Sequence, residues 1–350
     1  MGSGNMALWG YVNINVMKRN VIAFIVAILS AVNASAFDDV STAYSFLDIT
    51  SSSHVYGLGG VNVSLIDDDI NIVEQNPALL GPELGSQLGV NYMRYIGSSN
   101  FAGVKYGHSA GTHGAWAASM QYFGYGEMKS TDVTGSVTGT FSPKDICFSG
   151  TYSHDITTAL RGGVTLKGIY SDYEAYSAFA LAVDLGLNYY DGDNDMSLSL
   201  VVTNLGGQLK RFNEVYERLP VDVRIGWSQG LHGLPFRLSI TAWNLTRWHL
   251  PYYDTGDGTG HDSVKLKDSF MSNLLRHLVF AGEYEPNENF YIGIGYNYKT
   301  RTDMNTYSRN FFSGFSIGSG IRVRQFGIGA ALAQPHVGAM TFMFNLAMRL

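Results

Sequence analysis

From about residue 87 to its last residue the chain alternates apolar and polar side chains, segment after segment, and the polar positions include full charges. In 195–204, Met196, Leu198, Leu200 and Val202 share one face, while Ser197, Ser199 and Thr203 share the other. The stretch 221–230 sets Val221, Val223, Ile225 and Trp227 against Asp222, Arg224, Gly226 and Ser228; 289–300 sets Phe290, Ile292, Ile294, Tyr296 and Tyr298 against Gly293, Gly295, Asn297 and Lys299. A period of two is the signature of a pleated strand, whose successive side chains point to opposite faces. Charges on the second face are intolerable in the dry core of a sandwich. A wide barrel accepts them, with its apolar face turned to lipid and its polar face to the lumen.

Alternation between turn signals predicts fourteen strands, at about 87–96, 101–110, 113–123, 144–153, 157–170, 178–189, 195–204, 221–230, 235–245, 277–286, 289–300, 311–319, 322–332 and 338–350. On one side the links are short, such as Tyr190-Asp191-Gly192-Asp193-Asn194 and Pro286-Asn287-Glu288; on the other they run long, at about 124–143, 205–220 and 246–276. Short turns opposite long loops are expected of an outer-membrane barrel, with its long loops at the cell surface. Met340, Phe342, Phe344, Leu346, Met348 and Leu350 carry the alternation to the end of the chain. The irregular stretch around Arg322, Arg324 and Gln325 predicts a bulge in the thirteenth strand. The expected fold is an all-β, 14-stranded antiparallel transmembrane β-barrel over residues 86–350. Its inward faces, carrying Arg161, Lys167, Asp184, Asn188, Asp222, Arg224 and Arg237, predict a polar, closed lumen.

Composition agrees with many glycine-turned, aromatic-edged strands: Gly 41, Tyr 22 and Phe 19 against Pro 8. A formal net charge of -6 of mixed sign leaves no basic surface for nucleic acid. Cys147 stands alone, which excludes an intramolecular disulfide framework and a cysteine metal cluster and points to packing within a strand.

At the N-terminus, Lys18 and Arg19, the apolar run Val21 to Val32 and Ala34-Ser35-Ala36 form the three parts of a secretory signal at 17–36, with cleavage expected after Ala36. Residues 1–16 read as an upstream leader or mis-assigned start. No other window is long and apolar enough for a transmembrane helix, so an exported chain that enters a membrane must do so as a closed barrel.

Residues 37–85 lack sustained alternation and are too few for a domain with its own core. Enclosed by a barrel they make a plug. Asn76 would cap a turn, Pro77 and Ala78 would start it, and Asp67, Asp68 and Asp69 would pair with lumen cations such as Lys105, Lys167, Arg224 and Arg237. The competing reading of the acid run is a solvated turn.

The run AYSFLDITSSSHVYGLGGVNVSLIDDDINIVEQNPALL resembles the N-terminal segment of FadL-like outer-membrane barrels, in which an Asn-Pro-Ala sits in a plug before fourteen strands. Phe141-Ser142-Pro143-Lys144-Asp145, Leu185-Gly186-Leu187-Asn188-Tyr189-Tyr190, Asn204-Leu205-Gly206-Gly207-Gln208-Leu209-Lys210, Arg218-Leu219-Pro220 and Leu245-Thr246-Arg247-Trp248 are similar, in order and spacing, to the PorQ family of the type IX secretion system. That resemblance implies a non-enzymatic component of the outer-membrane attachment complex of Bacteroidota. Its partners would be a PorZ-like surface protein, a PorU-like sortase and a PorV-like barrel, beside outer-membrane lipid and lipopolysaccharide. The barrel would hold the surface partner while sortase-processed cargo is attached to the cell surface.

The sequence has no H-E-x-x-H and no G-x-x-x-x-G-K, and the nine His are scattered. Neither a cofactor nor a metal is expected. The run Asp254-Thr255-Gly256-Asp257-Gly258-Thr259-Gly260-His261-Asp262 has clustered carboxylates but no EF-hand spacing, and reads as a flexible surface loop. The alternative function is a FadL-like transporter of hydrophobic small molecules, which needs an apolar pocket in the lumen. A soluble exported β protein conflicts with the outward apolar stripes and the loop asymmetry. For partner binding the candidates are Arg211, Phe212, Tyr216 and Arg218 in one long loop and Arg247, Trp248, His249, Tyr252 and Tyr253 in the next, since aromatic and Arg clusters anchor interfaces. Trp248, Tyr252 and Tyr253 suit an interfacial aromatic girdle equally well.

Overall fold

The computed structural model describes residues 42–214, 216–254, 265–304, 312–336 and 339–350, so the signal, the leader and most of the Asp254 to Asp262 run lie outside the described residues. In chain order the strands are β1 (Gln87–Arg94), β2 (Asn100–Ser109), β3 (Gly114–Gly124), β4 (Met128–Thr131), β5 (Val137–Phe141), β6 (Lys144–Asp155), β7 (Leu160–Tyr173), β8 (Tyr176–Asp191) and β9 (Met196–Lys210). They continue with β10 (Asp222–Gly230), β11 (Phe236–Ala242), β12 (Tyr252–Asp254), β13 (Lys265–Lys267), β14 (Leu278–Asn287), β15 (Phe290–Asn297), β16 (Phe315–Val323), β17 (Phe326–His336) and β18 (Ala339–Arg349). β4 with β5 and β12 with β13 are small hairpins of their own; the other fourteen close one antiparallel barrel, sealed by β1 on β18 from Gln87↔Arg349 to Arg94↔Phe342. Closure leaves no strand edge unpaired, which a bilayer requires.

The pleat sorts the side chains as the alternation predicts. Val90, Tyr92, Leu166, Leu198, Ile240, Ile294, Ile317 and Phe344 are exposed on the outside, while Asn91, Asp184, Asn188, Asp222 and Arg224 are buried within. An exposed apolar face around a whole barrel is a lipid-facing face. Tyr92, Tyr122, Tyr170 and Tyr176 lie toward one end of the strands, and Trp116, Tyr152, Tyr189 and Phe236 toward the other. These are the two aromatic girdles of a membrane-spanning barrel.

The two rims differ. One carries only short turns (110–113, 156–159, 192–195, 231–235, 288–289 and 324–325) and is called the turn rim. At the loop rim the links include 125–143, with β4 and β5, and 243–277, with β12, β13 and helix α2 (Phe270–Arg276). A further loop, 298–314, begins with helix α3 (Tyr298–Asp303).

Three expected boundaries move. β9 runs on to Lys210 because Asn204 takes a left-handed φ of 57° and the β8–β9 register shifts between Val183 and Leu185. This bulge breaks the alternation at Val201 to Asn204, and the following loop shrinks from the expected 205–220 to 211–221. Arg324 and Gln325 form no bulge: they are the turn between β16 and β17, with Arg324 at φ 55°, so both strands lie about four residues later than expected. A turn without Gly, Pro or Asn carries no local signal. Lys299 faces no lumen from a strand either, because α3 begins at Tyr298 and Lys299 pairs with Asp303 one helical turn on (2.7 Å).

Candidate functional site

Residues 42–85 lie inside this wall as five short helical turns, among them α1 (Ser53–Gly57). Each is held by a local device. The Ser52 hydroxyl caps α1 at Val55, and Asp69 caps Ile70–Glu74 at the Asn71 N–H (2.9 Å). Asn76, fully buried, accepts from the Ala78 N–H (2.9 Å), donates to the Val63 carbonyl (3.0 Å), and leaves Pro77 to open the turn. The wall makes room with glycine. A Cβ at Gly163 would lie 2.6 Å from the Ala78 nitrogen, one at Gly226 2.7 Å from Val63, and one on Gly57 of the plug 2.6 Å from the Gly318 nitrogen. At Gly163 and Gly318 plug backbone sits directly on strand backbone, and at Gly226 the plug side chains Val63 and Ser64 take the space.

The acid run splits. Asp67 is buried and takes His54 Nδ1 at 2.6 Å together with Arg322; Asp68 pairs with Arg349 at the surface (3.0 Å); Asp69 accepts from Asn345. His54 is clasped on its other nitrogen by Glu283 and stacks on Tyr291 at 3.6 Å between ring centres. Burial opposes charge on His54, but Glu283 and Asp67 overcome it and lift its pKa to about 10. Burial, joined by the neighbouring Asp67 charge, pushes Asp69 up to about 6, whereas Asp67, though buried, is held well below the usual carboxylate range by His54 and Arg322. The cations expected to meet the run are engaged elsewhere. Lys105 meets Glu74 (3.1 Å), Lys167 meets Asp184 (2.7 Å), Arg224 meets Asp222 (2.8 Å) and Asp48 (2.9 Å), and Arg237 meets Asp195 (2.9 Å). The run sits nearer the turn rim, where Arg322 and Arg349 reach it first.

The lumen is not uniformly polar, as the inward charges predicted. Toward the loop rim Tyr44, Phe46, Tyr56, Met93, Phe101, Phe123 and Met343 pack into one apolar cluster. Beside it a cavity of about 210 Å³ lies between plug residues Ile49, Tyr56 and Val61 and Tyr95, Trp243, Phe315 and Pro335, with Asp48, Asn297, Gln334 and four Ser or Thr residues among its lining. The β17–β18 register is irregular between Ala333 and His336, beside this cavity. Toward the turn rim a second cavity, about 430 Å³, is lined by His54, Asp67, Arg161, Arg237, Glu285 and Arg322. The apolar half escaped sequence reading because its members are scattered along the chain.

Of the loop candidates, Phe212 points inward, stacking on Tyr173 (4.9 Å) and leaning on Tyr44 (6.3 Å). Arg211 lies over Tyr216 (5.5 Å), and the Arg218 carbonyl accepts from Thr42. Trp248 stacks on His277 (5.1 Å) and lies tilted against Phe270 (5.3 Å), His249 pairs with Asp268 (3.2 Å), and Tyr252 receives Arg276 over its ring (5.0 Å). The Arg247 N–H donates to the Asn244 carbonyl (3.1 Å), and Tyr253 stands exposed. Neither Trp248, Tyr252 nor Tyr253 lies on a barrel strand. Among the described residues no group of three or more His, Cys, Asp or Glu is arranged to hold a metal.

No family model and no curated protein matches the sequence. Solved structures do match the fold. The toluene transporter TbuX of Ralstonia pickettii aligns with a TM-score of 0.52 at 10% identity, over 86% of this chain and 97% of its own. The Pseudomonas putida toluene transporter TodX gives 0.50 at 11% identity over 86% and 97%, and the deltaS2S3 mutant of the TodX monoaromatic hydrocarbon channel gives 0.53 at 11% over 85% and 96%. At such identities the likeness is one of fold, that of the closed fourteen-strand antiparallel barrel.

Proposed function

We propose that this chain is an outer-membrane barrel that admits small, largely apolar molecules of about single-ring size from the loop side, with residues 42–85 as its stopper. The cavity of about 210 Å³ at the loop end carries this reading. An apolar cavity of about 150 Å³ is known to hold benzene, so this one suits a ring with a few further atoms. Its aromatic walls supply the apolar contact, and Asn297 and Gln334 can orient one polar substituent. Burial of so small a solute contributes only about 4–5.5 kcal/mol, which corresponds to dissociation constants of about 0.1–1 mM. Such affinity suits passage better than storage. TbuX and TodX, with which the fold aligns, are toluene transporters, which supports the same reading.

The test is uptake of toluene into vesicles containing the mature barrel, compared with Val61→Phe, which fills the cavity from the plug side. Saturable uptake lost in the variant is the expected result. Equal uptake by both proteins removes the cavity from the reading.

A second reading is favoured by one feature of the loop rim. Tyr253, Leu266, Phe270 and Met271, at the described ends of the 243–277 loop, leave large apolar surface uncovered, 58–67% exposed each. Such surface marks interaction sites. On this reading the barrel seats a PorZ-like surface protein within an attachment complex with PorU-like and PorV-like components, near lipopolysaccharide, as the PorQ resemblance implies. Transport stands ahead of it because the loop-side cavity supplies the apolar pocket in the lumen that transport needs.

A further inference from the structure

The loop-side cavity, of about 210 Å³, carries charge of one sign. Among the described residues no Lys, Arg or His lines it, and its charged member is Asp48, at the end of the plug turn Ser45–Asp48. Arg224 reaches the Asp48 Oδ1 (2.9 Å), and no bond among the described residues takes the Oδ2. The Asp48 side chain is 37% exposed, whereas Arg224 is buried and does not line the cavity. The carboxylate, rather than the guanidinium, therefore meets the open space.

The charges behind Asp48 do not cancel it. Arg224 also pairs with Asp222 (2.8 Å), and Lys167 beside them pairs with Asp184 (2.7 Å). Three carboxylates share two cations, so one negative charge is left over. Another stands toward the same rim: Asp145, fully buried, is held by the hydroxyls of Tyr125 (2.7 Å) and Tyr173 (2.9 Å) and meets no Lys, Arg or His among the described residues. A carboxylate out of water is costly until a counter-charge joins it. Burial raises the pKa of Asp48 and Arg224 opposes the rise; an ammonium group beside the carboxylate favours its charged form in the same way as Arg224.

The walls suit the same charge. Tyr56, Tyr95, Trp243 and Phe315 line the cavity, and the negative face of an aromatic ring attracts a cation. Trp243 already receives one: Lys299, which is not part of the lining, lies 5.9 Å from the centre of its ring and is answered by Asp303 (2.7 Å). An anion in this cavity would be repelled by Asp48 and by the ring faces alike.

We propose that the loop-side cavity selects organic cations: single-ring molecules bearing one ammonium group, with the ring among Tyr56, Tyr95, Trp243 and Phe315 and the ammonium donating to Asp48 Oδ2. The site is the one proposed above for small rings, so the selection rests on that reading and adds a charge to it. An ammonium–carboxylate hydrogen bond is stronger than the neutral bond an alcohol could make there, and this difference sets the preference.

The test compares benzylamine, protonated near neutral pH, with benzyl alcohol, an uncharged molecule of nearly the same shape, and with benzoate, on the full mature barrel in detergent. Titration by saturation-transfer NMR gives each affinity, and Val61→Phe, which fills the cavity, defines the part of the signal that belongs to it. Benzylamine is expected to bind at least about tenfold more tightly than benzyl alcohol, with no cavity signal from benzoate, and Asp48→Asn should bring benzylamine and benzyl alcohol within about twofold of each other. Equal binding of benzylamine and benzyl alcohol by the unsubstituted protein overturns the charge selection and leaves the transport reading standing. A preference that survives Asp48→Asn overturns the selection by Asp48. No cavity signal from any of these molecules or from toluene overturns both the selection and the transport reading. Should Asp48→Asn not assemble a heat-modifiable barrel, the unsubstituted protein decides: benzylamine bound and benzoate rejected upholds the selection, and equal binding of the two overturns it.

Discussion

Gly163→Ala should loosen the plug while leaving the barrel intact. The new methyl carbon would lie 2.6 Å from the Ala78 nitrogen and closer still to the Pro77 carbonyl carbon, both backbone atoms of the Asn-Pro-Ala turn. No rotamer change relieves such a contact. Either β7 bulges or the turn backs away by roughly 1 Å, at an overpacking cost of about 1–3 kcal/mol. Retreat of the turn also stretches the two buried bonds of Asn76, to the Ala78 N–H and the Val63 carbonyl, each of which costs about 1–3 kcal/mol when left unmade. With one of these two bonds lost, the total of about 2–6 kcal/mol corresponds to a roughly 30- to 20,000-fold rise in the open population of the plug. Hydrogen exchange of residues 70–84, followed by mass spectrometry on the detergent-solubilised protein, measures this directly. Gly168→Ala on the same strand is the control, since a Cβ there meets nothing closer than 3.9 Å. Equal protection of residues 70–84 in the two variants would refute the close approach of plug and wall.

Plug docking should also weaken as pH rises. His54 faces Asp67, Glu283 and Tyr291, with Asp69 and Arg322 beyond Asp67, and its pKa near 10 exceeds its ordinary value. Its stabilisation is therefore complete below about pH 6.5 and is lost as pH climbs through 10, by at most about tenfold in the docking equilibrium per pH unit. Asp69, raised to about 6, acts in the same direction between about pH 4 and 6; exchange protection of residues 53–57 that is flat from pH 6.5 to 9.5 would contradict the clasp. Deleting residues 251–267 removes β12 and β13 but keeps Leu250 bonded to Asn273, so the barrel should stay heat-modifiable on gels. A mild-detergent pull-down from native membranes should then lose the surface partner if the loop seats it, and unchanged recovery would exclude the loop.

What the sequence alone determined is what the pleat and the local backbone determine. The faces of β10 and β15, the number of barrel strands, the contrast between the rims and the Asn76 cap all follow from residues two or three apart, because strand alternation and capping are local geometry. Tertiary structure decided the rest. Asn204 and Arg324 adopt left-handed backbone that their neighbours in sequence do not announce, so the end of β9 and the β16–β17 turn were set by strand pairing. Which cations meet Asp67 to Asp69 was decided by closure of β1 on β18, which brings Arg349, Arg322 and Asn345 to a segment more than 250 residues earlier in the chain. The apolar loop-side half of the lumen arises in the same way, from side chains of the plug and many separate strands converging on one space. Electrostatics and packing act through distance in space, and only the closed barrel turns distance along the chain into that distance.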